Sequence, residues 1–133
     1  MSRAILRVAL VAGALIDFFV AAILMLFPSA SKPLFDIPAP DVTTALLGGG
    51  ELIVAGLVYV VILRDVDRFR PLLWLVALDQ VFAALLPGIE MLRGHVPATF
   101  KTIAPMPINA VLVFIYVWSA RSQARSQTTM SSS

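Results

Sequence analysis

The chain has 133 residues, of which 59% are hydrophobic and 14% charged, with a formal net charge of +2 and no cysteine. An average soluble domain is about 45–50% apolar and about 25% charged, so too little polar surface remains here to cover a water-soluble fold. This balance excludes disordered, collagen-like and disulfide-rich classes and indicates a small integral membrane protein whose partner is the lipid bilayer. The basic residues are scattered and form no basic stripe, so we expect no nucleic-acid partner.

Four segments are long and apolar enough to cross a bilayer, which takes about 20 residues of helix. In chain order they are residues 4–27, 42–63, 71–92 and 103–120. Prolines interrupt the chain between the first two spans, and Asp41 is a residue type that caps the start of a helix. The sequence predicts an all-α polytopic membrane protein: one four-transmembrane-helix bundle over residues 1–120, then a disordered tail over residues 121–133.

The basic residues predict the orientation of the bundle, because short cytoplasmic loops are enriched in Lys and Arg. Three lie on one side of a four-span arrangement, namely Lys32, Arg93 and Lys101. Seven lie on the other side, namely Arg3, Arg7, Arg64, Arg68, Arg70, Arg121 and Arg125. Both termini are therefore expected in the cytoplasm, with the protein in the inner membrane. Five aromatic residues fall near the same boundary and are typical of an interfacial belt, namely Tyr59, Phe69, Trp74, Tyr116 and Trp118.

Three acidic residues, Asp17, Glu51 and Asp79, lie near the centres of predicted spans, and no Lys or Arg lies near any of these centres. An Asp facing lipid at a helix centre costs about 2.5–3.5 kcal/mol on insertion scales. These carboxyl groups are therefore expected to face one another, water or a ligand.

Depth and helical face support this expectation. Counted from the nearest Arg at about 1.5 Å per residue, the three carboxyls and Asn109 lie about 14–20 Å from the cytoplasmic boundary. Asp17 shares a face with small residues, which favour close helix packing. The predicted face of the third span carries Asp79, Ala83, Leu86 and Glu90, and Glu90 is expected to pair with Arg93.

These positions predict a polar pocket in the bundle. Its acid–base candidates are Asp17, Glu51 and Asp79, and its ligand-binding candidates are Gln80, Asn109 and Tyr116. Burial disfavours the charged form of a carboxyl, so some of these acids are expected to be neutral and to share protons. With no cysteine and only His95 as histidine, we expect neither a metal site nor a cofactor.

The sequence around residues 48–72 resembles the DoxX-like group of small bacterial four-span proteins. The likeness rests on Gly49-Gly50-Glu51-Leu52 at the start of the second span and on Arg64-Asp65 followed by Arg68-Phe69-Arg70-Pro71-Leu72. It implies the four-span layout and no particular activity. The acidic residues in spans one and three depart from that pattern. Small multidrug transporters are similar in size, but their flanking residues do not match.

Three functions remain open at this point. The first is an accessory membrane protein whose buried acids organise the bundle or bind a small apolar ligand. The second is a membrane-embedded isomerase or cyclase that uses the carboxyls as acid and base on a lipid-soluble substrate. The third is a proton-coupled transporter acting as a homodimer.

Overall fold

A computed structural model describes residues 2–122, and within that range all regular secondary structure is helical. The α-helices are α1 (Arg3–Leu26), α2 (Ser31–Phe35), α3 (Val42–Arg64), α4 (Leu73–Leu92), α5 (Phe100–Ile103) and α6 (Pro105–Ser122). Short 3₁₀ turns precede α2 and α4, at Pro28–Ala30 and Arg70–Leu72. Four helical segments are long and apolar enough to cross a membrane, which confirms the four predicted segments as helices: Arg3–Leu26, Val42–Arg64, Arg70–Leu92 and Phe100–Ser122.

The ends of the long helices follow from local chemistry. The Asp41 carboxylate accepts a hydrogen bond from the Thr44 backbone N–H at 3.0 Å, which confirms the predicted cap of α3. The proline-rich connection before it holds the 3₁₀ turn and the short helix α2, which ends at Asp36 in a left-handed conformation with φ of 56°. Helix α6 continues to Ser122, so the first two residues of the predicted tail are helical; residues 123–133 lie outside the described residues.

The long helices pack most extensively as two pairs of chain neighbours, α1 with α3 and α4 with α6. Glycines allow the first pair to approach closely. A Cβ at Gly49 would lie 2.4 Å from Met25 Cγ, and a Cβ at Gly56 would lie 2.7 Å from Phe18 Cε1. The first pair is therefore packed closely at these glycines, against apolar side chains of α1.

The two pairs meet mainly in one half of the bundle. This half carries Arg3, Arg64, Arg70 and Arg121 at or near the ends of the long helices and is called here the basic end. The buried apolar core of this half includes Leu10, Ile62, Leu73 and Val76. Elsewhere large apolar side chains cover the outside of every long helix, and only 22–33% of each apolar window is buried. Such a surface suits a lipid environment rather than water.

Polar contacts tie both ends of the bundle. At the basic end, the Arg70 guanidinium donates to the carbonyl oxygens of Ser119 and Ala120 in the last turn of α6. At the opposite end, the Thr99 hydroxyl donates to the Asp36 carboxylate at 2.8 Å. This second contact joins α2 to α5 and so links the two helix pairs.

Candidate functional site

A cluster of polar side chains lies where the four long helices meet. We call it the polar cluster and define it as Asp17 of α1, Tyr59 of α3, Asp79 and Gln80 of α4, and Tyr116 of α6. Tyr59 and Tyr116 are fully buried, Gln80 is 1% exposed and Asp17 is 3% exposed. Asp79 is only half-buried and lies at the edge of the cluster.

Hydrogen bonds fix the geometry of this cluster. The Gln80 amide Nε2 donates to the Tyr59 hydroxyl at 2.8 Å and to Asp79 Oδ2 at 3.1 Å. The Tyr59 hydroxyl donates to the same Asp79 oxygen at 3.3 Å. The Tyr116 hydroxyl donates to the Ala9 carbonyl oxygen of α1 at 2.7 Å. Every side-chain N–H and O–H donor of the cluster is thereby used.

Two acceptors in the cluster have no hydrogen-bond donor. They are Asp17 Oδ2 and Gln80 Oε1, and both atoms are buried. Buried polar atoms are normally paired, and an unpaired one costs about 1–3 kcal/mol. The polar cluster therefore has spare acceptors and no spare donor.

Gly13 allows the two tyrosines to approach α1. A Cβ at this position would lie 2.7 Å from Tyr59 Cε1 and 3.0 Å from the Tyr116 hydroxyl oxygen. The two rings pack on each other with centroids 5.9 Å apart. Asp17 follows one helical turn further along α1, which places its carboxyl beside the tyrosine pair.

A groove between α3 and α4 runs along the outside of the cluster, and Asp79 forms part of its wall. We call it the acidic groove; its volume is about 280 Å³. It is lined by Glu51, Val54, Ala55, Val58, Leu75, Val76, Leu78, Asp79 and Phe82. Several of these side chains are exposed, so the groove opens sideways on the apolar surface of the bundle. Apart from its two carboxyls the lining is apolar.

The structure places the predicted site residues in two environments. Asp17, Gln80, Asn109 and Tyr116 are buried in the bundle, as the sequence predicted. Asn109 lies on the face of α6 that also carries Tyr116, but the hydrogen bonds of the polar cluster do not include it. The chemical roles given to these residues stay predictions.

Glu51 departs from the prediction of one inward-facing pocket, because its side chain is exposed. The buried face of α3 carries Ala45, Gly49, Gly56 and Tyr59. At about 100° per residue, Glu51 lies about 200° around the helix from Gly49 and so points away from that face. It lines the acidic groove with Asp79 instead.

The predicted face of the third span is also wrong by one position. Ala83 and Leu86 are exposed, and the buried stripe of α4 runs through Leu73, Val76, Ala77 and Gln80. Asp79 lies beside this stripe, which explains its partial exposure. The predicted ion pair at the end of α4 is confirmed, since Arg93 Nη1 lies 2.9 Å from Glu90 Oε1.

Tyr59 is the site residue that the sequence interpretation missed, because it was assigned to an interfacial aromatic belt. Its position could have been found from the glycines of the second span. Gly49 and Gly56 are seven residues apart and Tyr59 follows three residues later, a spacing that puts all three on one helix face. Small residues mark a packed face, so this spacing indicates a buried Tyr59, which the assignment to an aromatic belt overlooked.

Among residues 2–122, no three His, Cys, Asp or Glu side chains are grouped so that they could hold a metal ion. No family model matches the chain, and no curated protein or solved structure matches it either. The DoxX-like resemblance therefore gains no support from these comparisons. The features that the structure does show are an all-helical fold and four helices of membrane-spanning length and apolarity.

Proposed function

We propose that the protein is a small integral inner-membrane protein that binds a small, lipid-soluble ligand in the acidic groove. The observation that carries this proposal is the position of Asp79. Its carboxylate lies in the wall of an apolar groove that opens on the side of the bundle, where a molecule dissolved in the bilayer would arrive.

The surroundings of Asp79 suit a binding site. Ligand pockets are mostly apolar and contain a few fixed polar groups that orient the ligand. Asp79 is such a group, since the Tyr59 hydroxyl and the Gln80 amide hold its carboxylate in one place. The donors themselves are buried and cannot move without breaking the cluster. The carboxylate is thus fixed before any ligand arrives, which lowers the cost of binding.

A purely structural role for the acids fits the observations less well. Carboxyls that only hold helices together would be buried and fully paired. Glu51 is exposed, Asp79 is half-buried, and the buried Asp17 has an unpaired oxygen. The arrangement favours a role for Asp79 and Glu51 toward a molecule outside the bundle.

Filling the groove tests the proposal. Ala55 lines the groove, so Ala55→Phe would occupy it, whereas Ala22 is exposed on α1 away from the groove and provides a matched Ala22→Phe control. The probe is 2-naphthalenemethanol, measured by equilibrium dialysis of the protein in dodecyl maltoside micelles against protein-free micelles. We expect saturable binding to the original chain and to Ala22→Phe, and at least about tenfold weaker binding to Ala55→Phe. Equal binding to all three proteins would overturn the proposal.

The proposed orientation has both termini in the cytoplasm. The chain lacks cysteine, so single cysteines report their own accessibility. Asp65→Cys places a thiol at the basic end, and Ala98→Cys places one at the opposite end. In intact spheroplasts a membrane-impermeant maleimide should label Ala98→Cys at once and Asp65→Cys only after permeabilisation. The reverse pattern would contradict the orientation.

A further inference from the structure

We infer that the ligand of the acidic groove is an organic ammonium ion, that is, a protonated amine on a small apolar body. This inference rests on the proposed function and narrows it to one chemical class. It follows from the balance of charges and of hydrogen-bond donors around Asp79.

The charge balance of the groove is one-sided. Two carboxyls line it, Glu51 and Asp79, and no basic side chain does. The sequence places no Lys, Arg or His in residues 8–31, 42–63, 71–92 or 102–120, so the apolar stretches of the four long helices supply no counter-ion. A buried or half-buried carboxylate is normally paired with a cation. The groove therefore supplies no cation to Asp79, and a positively charged ligand would complement its carboxylate.

The donor balance points the same way. Both hydrogen bonds to Asp79 come from neutral groups, the Tyr59 hydroxyl and the Gln80 amide, which orient the carboxylate without compensating its charge. The Gln80 amide already donates both of its N–H groups, to Tyr59 and to Asp79, so neither Gln80 nor Tyr59 has a further donor for a molecule in the groove. A ligand that complements this site brings N–H donors and positive charge. An anion or a carbonyl compound would bring only more acceptors.

The size of the groove limits the body of the ligand. Its lining runs from Glu51 to Val58 on α3 and from Leu75 to Phe82 on α4. Seven residues of helix span about 10 Å. Asp79 lies near the middle of this length. The volume of the groove, about 280 Å³, falls just below that of sites for drug-sized molecules, about 300–1,000 Å³. One or two fused rings with a short ammonium arm match these dimensions.

Paired probes with one common body test the inference. The protonated 2-naphthylmethylamine and the neutral 2-naphthalenemethanol differ only in the polar group, and uncharged dodecyl maltoside micelles avoid attraction by the detergent. Because charge-assisted hydrogen bonds are about twice as strong as neutral ones, we expect the ammonium probe to bind at least about tenfold more tightly at neutral pH. Asp79→Asn should abolish this preference. Glu90→Gln should keep it, because Glu90 lies on the same helix outside the groove.

Each outcome of this experiment decides one point. If the alcohol binds as tightly as the ammonium ion and Ala55→Phe weakens both, the inference is wrong and the proposed function stands. If neither probe responds to Ala55→Phe, both are wrong. Glu51→Gln changes an exposed side chain and keeps the test valid if Asp79→Asn does not fold; it should reduce the preference for the ammonium ion severalfold. A preference unchanged in every groove variant that folds would overturn the inference.

Discussion

Replacing Gly13 by Ala should destabilise the bundle, because this glycine is where α1 meets the two buried tyrosines. The added Cβ would lie 2.7 Å from Tyr59 Cε1 and 3.0 Å from the Tyr116 hydroxyl oxygen. Non-bonded carbon atoms are most stable about 3.5–4.0 Å apart. Neither ring can easily move, because each hydroxyl is held by hydrogen bonds. The change therefore forces α1 away from the polar cluster.

The magnitude follows from comparison with Gly50→Ala, whose added Cβ would meet nothing within 4 Å. Both changes gain helix propensity, about 0.8–1.0 kcal/mol for Gly to Ala in a helix interior. Only Gly13→Ala adds an overpacking cost, typically about 1–3 kcal/mol. Because the propensity gain is common to both, the free energy of unfolding of Gly13→Ala should be lower than that of Gly50→Ala by about 1–3 kcal/mol.

The assay is reversible unfolding of both variants by increasing SDS mole fraction in mixed micelles, monitored by far-ultraviolet circular dichroism. A free energy of unfolding for Gly13→Ala equal to or above that of Gly50→Ala would refute the packing described for this junction.

Three further predictions concern single contacts. Tyr116→Phe removes the 2.7 Å bond to α1 and should lower the free energy of unfolding in mixed micelles by about 1 kcal/mol; no change would contradict a formed bond. Hydrogen bonds from Thr44 hold the pKa of Asp41 below its ordinary value, so this cap stabilises the fold above the unfolded pKa, about 3.9, and is lost as pH falls through the lower folded pKa. Asp41→Asn should remove that part of the acid dependence of the thermal midpoint, and an unchanged acid profile would count against it. Thr99→Val breaks the 2.8 Å bond to Asp36 and should speed amide hydrogen exchange in α2, with exchange in the middle of α3 as the internal control.

The spans could be predicted from the sequence because length and apolarity decide them almost alone. The structure has helices at all four predicted positions, with ends that differ by a few residues. Prolines and the Asp41 cap mark the breaks between helices by local chemistry. The short helices α2 and α5 were not predicted, because four or five residues are too few to show a helical period in the sequence.

The site was predicted less completely, because depth along a helix does not give the direction in which a side chain points. Asp17 was placed correctly since small residues on its own face identify the packed side. Glu51 was assigned to the interior on depth alone, although the glycine face of α3 lies on the other side. Asp79 and Gln80 are adjacent in sequence, and only the packing of α4 in the bundle decides that Gln80 is the buried one.

The pairing of neighbouring helices has a consequence for biogenesis. The first close pair, α1 with α3, is complete in the chain before α4 has been synthesised, so it can form during translation. The polar cluster draws side chains from all four long helices and can close only after α6 has been synthesised. Until then the Ala9 carbonyl oxygen lacks the hydrogen bond from Tyr116, and the Tyr59 ring lacks its packing against the Tyr116 ring. The cluster is therefore complete only in the full-length chain. Chains truncated before α6 should be degraded by cellular proteases faster than the full-length chain.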